Sequence, residues 1–148
     1  MTKPLSSKNI VLYADDDLDD LQLVQDAFTA YSNNVEVLTF TDGLKILHHL
    51  ENSGSTQPKP CLIILDINMP RLTGKEVLIE IRNSKEYKDV PVVLFSTSSL
   101  QQEKEFARTL NAGFITKPID LRHMEIIAAE FIEHCSQDIQ KQIRKELK

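Results

Sequence analysis

The sequence predicts an α/β protein, built on a five-stranded parallel sheet with helices on both faces. Three observations lead there. Apolar runs of strand length recur five times, at residues 10–14, 35–40, 61–65, 92–95 and 114–116. Segments of helix length separate them. Polar and charged residues collect where four of the runs end, the rim at which parallel sheets bind ligands.

Three of the runs lack alternation, as strands covered on both faces should. The second alternates and fits a position nearer an edge. Between the runs, Leu21, Val24, Phe28 and Tyr31 recur at helical spacing, as do Leu44, Leu47 and Leu50, and then Val77, Leu78 and Ile81. Thr73-Gly74-Lys75-Glu76 has the capping-box pattern, and Ser99-Leu100-Gln101-Gln102 repeats it. Thr41 or Asp42 is placed to cap the helix after the second strand. Residues 52–60 are polar with Gly and Pro, so a surface loop is expected there. Gln101, Gln102, Glu103, Lys104 and Glu105 lead the fourth helix, whose apolar anchors are few: Leu100, Phe106 and Leu110.

The C-terminal segment carries Phe131, Cys135, Ile139, Ile143 and Leu147 at four-residue steps, with Lys141, Arg144, Lys145 and Lys148 among them. Each step turns a helix by about 400°, so the stripe drifts roughly 40° per step and makes a weak seam. Two readings stay open. One is a helical extension that packs on its own domain or on a second subunit, giving a homodimer. The other is a frayed polar tail. The expected division is a domain over residues 8–134 and an extension or tail over residues 135–148.

With 148 residues, 41% hydrophobic and 26% charged, the chain suits one ordinary domain. A net charge of -5 disfavours nucleic acid and anionic membranes as partners. The two cysteines, Cys61 and Cys135, form no Cys-x-x-Cys pair, which argues against a zinc site or a disulfide framework. No run is long enough to be a signal peptide or to span a bilayer, and the expected compartment is the cytoplasm.

The chemistry lies at the strand ends. The first run is followed by Asp15-Asp16-Asp17, the third by Asp66, the fourth by Ser96-Thr97-Ser98 and the fifth by Lys117-Pro118. On a parallel sheet all four sets share one rim. Crowded carboxylates repel unless a cation neutralises them. Oxygen-only donors favour a hard divalent ion, and Mg2+ completes its shell with waters and a phosphate oxygen. A lysine adds positive charge for phosphoryl oxygens, and a hydroxyl adds one hydrogen bond. A carboxylate held there can itself be the nucleophile, giving an aspartyl phosphate.

Four segments in order resemble the response-regulator receiver family, also called chemotaxis-regulator-like. They are Val11-Leu12-Tyr13-Ala14-Asp15-Asp16-Asp17, Leu65-Asp66-Ile67-Asn68-Met69-Pro70, Pro91-Val92-Val93-Leu94-Phe95-Ser96 and Phe114-Ile115-Thr116-Lys117-Pro118. The resemblance spans roughly residues 8–134. It implies the doubly wound, flavodoxin-like strand order 2-1-3-4-5. It implies that Asp66 is the phosphoacceptor, that Asp15 and Asp16 hold Mg2+ with Asp66, and that the Asn68 backbone carbonyl completes the metal shell. It gives Ser96 the role of switch hydroxyl, Lys117 that of phosphoryl partner and Phe114 that of switch aromatic. A cis bond before Pro118 is common in the family. The implied partners are a sensor histidine kinase or phosphotransfer protein and a downstream protein target. The implied behaviour is that of a signalling switch that catalyses its own phosphorylation and dephosphorylation, here with no output domain following. Ser96 and Phe114 stand where threonine and tyrosine also occur in the family.

Plainer readings compete at several positions. The Asp15–Asp20 cluster also suits a solvated helix start. Its Asp15-x-Asp17-x-Asp19 spacing fails as a calcium loop, because Asp20 replaces the required glycine and Asp26 the bidentate glutamate. Phe114 equally fits ordinary core. His48, His49, His123 and His134 show no metal-ligand spacing. A phosphohydrolase would need a general acid soon after the nucleophile, where Asn68 stands. A nucleotide or flavin site lacks its Gly-rich loop after the first strand. A pure interaction module would not need the full acceptor set.

Overall fold

The computed structural model describes residues 8–53 and 58–143. Its strands are β1 (Asn9–Ala14), β2 (Val35–Phe40), β3 (Leu62–Asp66), β4 (Val92–Ser96) and β5 (Gly113–Thr116). All pair in parallel, in the order β2-β1-β3-β4-β5, as the resemblance implies. Every residue of central β3 is buried, whereas edge strand β2 alternates buried and exposed positions. The alternation read in the second run therefore marks an edge.

The helices are α1 (Leu18–Tyr31), α2 (Gly43–Ser53), α3 (Gly74–Asn83), α4 (Gln101–Thr109), α5 (Leu121–Glu125), α6 (Ile127–Ile132) and α7 (Gln137–Gln142). One core lies between the sheet and α1, α5 and α6, around Tyr13, Phe28, Phe95 and Phe131. The opposite core joins the sheet to α2, α3 and α4, around Leu12, Ile46, Leu65, Leu78 and Leu94. Each fully buried side chain of this size contributes about 1.5–3 kcal/mol.

The caps explain where the helices begin. Asp17 accepts the Asp19 and Asp20 backbone N–H groups at 2.9 and 3.1 Å, so part of the acidic cluster is a helix start. Asp42 accepts from the Lys45 N–H at 2.8 Å. Thr73 and Glu76 form the reciprocal capping box. The second expected box does not form: Leu100 is the N-cap of α4 without a side-chain bond, and the Ser98 hydroxyl accepts the Leu100 N–H instead.

The last helix departs from a single element. It breaks at Ile126, whose backbone (φ -111°, ψ 11°) ends α5 and begins α6. Ser136 then caps α7 by accepting from the Ile139 N–H. A fresh cap resets the helix, so the four-residue stripe is not one helical face. The described part of the extension folds back on its own domain. Ile143 is fully buried in the α1 core, and the Asn34 amide donates to the Gln142 carbonyl at 2.6 Å. Leu147 and part of the expected 52–60 loop lie outside the described residues.

Arg82 ties α3 to the α4–β5 turn. Its guanidinium donates to the carbonyls of Leu110, Lys88, Val90 and Asn111 at 2.7–3.1 Å. Gly74 lets α3 begin against the end of β3, since a Cβ there would meet the Asp66 carbonyl oxygen at 2.2 Å. Cys61 and Cys135 are free and buried. Among the described residues no helix is long and apolar enough to cross a membrane.

Candidate functional site

Parallel pairing sends the ends of β1, β3, β4 and β5 to one rim. Ala14 pairs with Leu65 and Asp66 with Phe95, while Ser96 pairs with Thr116. Asp15 and Lys117 are therefore the first residues past their strands. Asp66 and Ser96 are the last residues within theirs.

Lys117 lies at the centre. Its Nζ is 2.8 Å from Asp15 Oδ2, 2.8 Å from Asp20 Oδ2 and 3.5 Å from Asp66 Oδ1. The side chain is 8% exposed. Burial disfavours its charge, but hydrogen bonds to Asp15 and Asp20 outweigh that and hold its pKa above the ordinary lysine value. Asp15 is fully buried and accepts from three protein donors, Lys117 among them. Its Oδ2 also accepts the Tyr13 hydroxyl at 2.5 Å, and its Oδ1 accepts the Asp17 N–H at 2.9 Å. Burial and then the Asp15 carboxylate hold the Tyr13 phenol well above its ordinary pKa.

Asp66 is pushed up to about 7, first by burial and then by the Asp15 charge, with Lys117 pulling the other way. Asp15, Asp16 and Asp66 each offer a carboxylate oxygen within 4.8 Å of the others. Asp16 is exposed, so one side of this triad is open to solvent. Three hard oxygen donors with only one nearby amine fit a divalent cation.

The remaining expected residues fall around this centre. Ser96 is fully buried, and its Oγ accepts the Ser98 N–H at 3.1 Å. Asn68 is exposed in the β3–α3 loop, two residues beyond Asp66. Phe114 is half-buried in β5 and packs on the α2–α3–α4 core. The cis bond implied before Pro118 is not found: among the described residues every peptide bond is trans. Trans is also the lower-energy isomer before proline, by about 0.5–1 kcal/mol.

Two members of the site were not anticipated, Tyr13 and Asp20. Tyr13 had a signal. In a strand, residues two apart share a face, so a tyrosine two before Asp15 points toward it. Asp20 had none beyond its place in an acidic helix start.

A family model, the response regulator receiver domain, matches residues 11–129. Response regulator Rcp1 of Synechocystis is 29% identical over 127 residues, covering 84% of this chain and 86% of that protein. Two-component response regulator ARR17 of Arabidopsis thaliana is 33% identical over 125 residues, covering 78% and 79%. Among solved structures, the phosphorylated cyanobacterial phytochrome response regulator RcpA superposes with a TM-score of 0.78 at 30% identity, over 86% of this chain and 93% of that one. The Mn(2+)-bound form of Rcp1 gives 0.75 at 27%, over 86% and 97%. The sheet order, the acidic rim and these matches agree, and the chain belongs to the response regulator receiver family, signalling switches whose general function is to accept a phosphoryl group on an aspartate from a kinase.

Proposed function

We propose that Asp66 is the phosphoryl acceptor of a two-component or phosphorelay pathway. The observation that carries this is a carboxylate at the end of the central strand, 3.5 Å from a buried lysine and clustered with Asp15 and Asp16. An Asp66 oxygen attacks the phosphorus of a phosphohistidine on a sensor histidine kinase or phosphotransfer protein. The P–O bond forms as the P–N bond breaks, and the imidazole leaves with the electron pair. Water later attacks the phosphorus, which returns the carboxylate and releases inorganic phosphate. Both steps are self-catalysed by positioning and charge.

Lys117 pairs with the phosphoryl oxygens, and the Ser96 hydroxyl donates to one of them. Asp15, Asp16, Asp66 and the Asn68 carbonyl are the groups that would hold Mg2+, Asp15 and Asp16 directly or through water. Bound there, Mg2+ supplies neutralisation of the carboxylate and phosphoryl charge. Movement of Ser96, followed by Phe114, biases a surface made by α4, β5 and α5 for a downstream protein target. Two free cysteines fit a reducing cytoplasm.

The test is incubation with acetyl phosphate and Mg2+, then intact mass. One added phosphoryl group is expected, absent in Asp66→Asn. A wild-type mass that does not change would refute the assignment.

We further read residues 8–134 as the receiver unit and 135–148 as an extension packed on it. Burial of Ile143 within its own domain supports this. Deleting residues after His134 should then lower the melting temperature and leave a monomeric mass by light scattering unchanged. An unchanged melting temperature, or a mass that halves, would count against it.

A further inference from the structure

The Lys117 ammonium is shared in a way the acceptor role of Asp66 does not require. Asp20 Oδ2 is as near to Nζ as Asp15, and nearer than Asp66: 2.8, 2.8 and 3.5 Å. The Asp20 carboxylate is not spent on capping α1, because Asp17 does that and bonds the Asp20 backbone N–H. Its side chain is 19% exposed and reaches an amine that is 8% exposed.

We infer that Asp20 is a positioning residue that draws the Lys117 ammonium away from the phosphoryl site and so weakens the hold of that site on a phosphoryl group. This rests on Asp66 being the acceptor. A lysine has three N–H donors and no more. Two are taken by Asp15 and Asp20, and a charge-assisted bond to Asp20 competes with one to a phosphoryl oxygen. The Asp20 charge also repels the dianionic phosphoryl group that arrives beside it. A neutral side chain at this position returns one donor to the phosphoryl group and removes one repulsion. Both changes act in the same direction.

The full chain is compared as wild type, Asp20→Asn, Asp20→Ser and Asp20→Glu. One measurement is beryllofluoride affinity with Mg2+, read by fluorine NMR. The other is the initial rate of phosphoryl gain from acetyl phosphate with Mg2+, read by intact mass. Asp20→Asn and Asp20→Ser should raise affinity and rate by about fivefold, the upper scale of one solvent-accessible ion pair. Asp20→Glu, which keeps a carboxylate, should stay near wild type. Serine suits a first helical turn, so it carries the comparison if the asparagine variant folds poorly. A purely structural Asp20 would change the melting temperature but neither the affinity nor the rate well below melting. Wild-type values in both neutral variants, or lower ones, overturn the role of Asp20 alone. A wild-type protein that gains no phosphoryl group overturns the acceptor reading and this inference together.

Discussion

The Tyr13 hydroxyl and Lys117 Nζ meet on one oxygen: Asp15 Oδ2 accepts the phenol at 2.5 Å and the amine at 2.8 Å. A buried carboxylate that takes both is held in one rotamer. Tyr13→Phe removes one donor and leaves the other. The expected cost is about 1–2 kcal/mol of stability, the scale of a hydrogen bond to a charged group. Urea unfolding should show a lower midpoint with an unchanged slope.

Asp66 titrates near 7 in the folded chain, against about 3.9 for an unperturbed aspartate. The raised value means the folded state binds this proton more tightly than the unfolded state. The associated stability is complete below the unfolded value and is lost as pH rises through about 7. Without divalent ions, Asp66→Asn should therefore exceed wild type by up to about 4 kcal/mol at about pH 8 and come close to it near pH 4. Urea midpoints at the two pH values check this.

A cation that binds only the folded carboxylates stabilises by linkage. Mg2+ at a hundredfold excess over its Kd should add about 2.7 kcal/mol to wild type. Asp16 is the exposed member of the triad, so Asp16→Ala should fold normally yet lose most of this gain. Thermal melts across a Mg2+ series measure both.

Arg82 serves four carbonyls from one planar group. Arg82→Ala should destabilise by about 2–3 kcal/mol through unsatisfied acceptors. Arg82→Lys should recover little, because an ammonium on a single stem does not span the same carbonyls. Equal stability of the lysine variant and wild type would contradict the geometry.

Helix α4 is held weakly. Only Glu103 and Ala107 are buried on it, and Leu100 is exposed. Glu103 Oε1 has no hydrogen-bond partner, and its Oε2 is 3.8 Å from Lys75 Nζ. An element with few apolar anchors and a buried unsatisfied oxygen opens at low cost. Amide exchange in α4 should be faster than in α3 and should change with beryllofluoride and Mg2+. Identical profiles would exclude α4 as the element that moves.

Much of this was legible in the residues. Unbroken apolar runs such as Cys-Leu-Ile-Ile-Leu announced a strand covered on both faces, and β3 is buried throughout. The Thr73 box was legible because its partners lie three residues apart, within one turn. The Ser99 box misled for the same local reason: nothing in the segment told that Ser98 would take the Leu100 N–H. The new cap at Ser136 was hidden, because a four-residue stripe continues past it unchanged.

What the amino-acid order determined by itself was the element sequence and the rim where function gathers, since parallel strands place all their carboxyl ends on one side whatever their order. Only the tertiary structure decided which charges touch. Lys117 and Asp20 are 97 residues apart and meet because the start of α1 and the end of β5 converge on that rim. Such a contact depends on distances between side chains of separate elements, and no local pattern of residues encodes them.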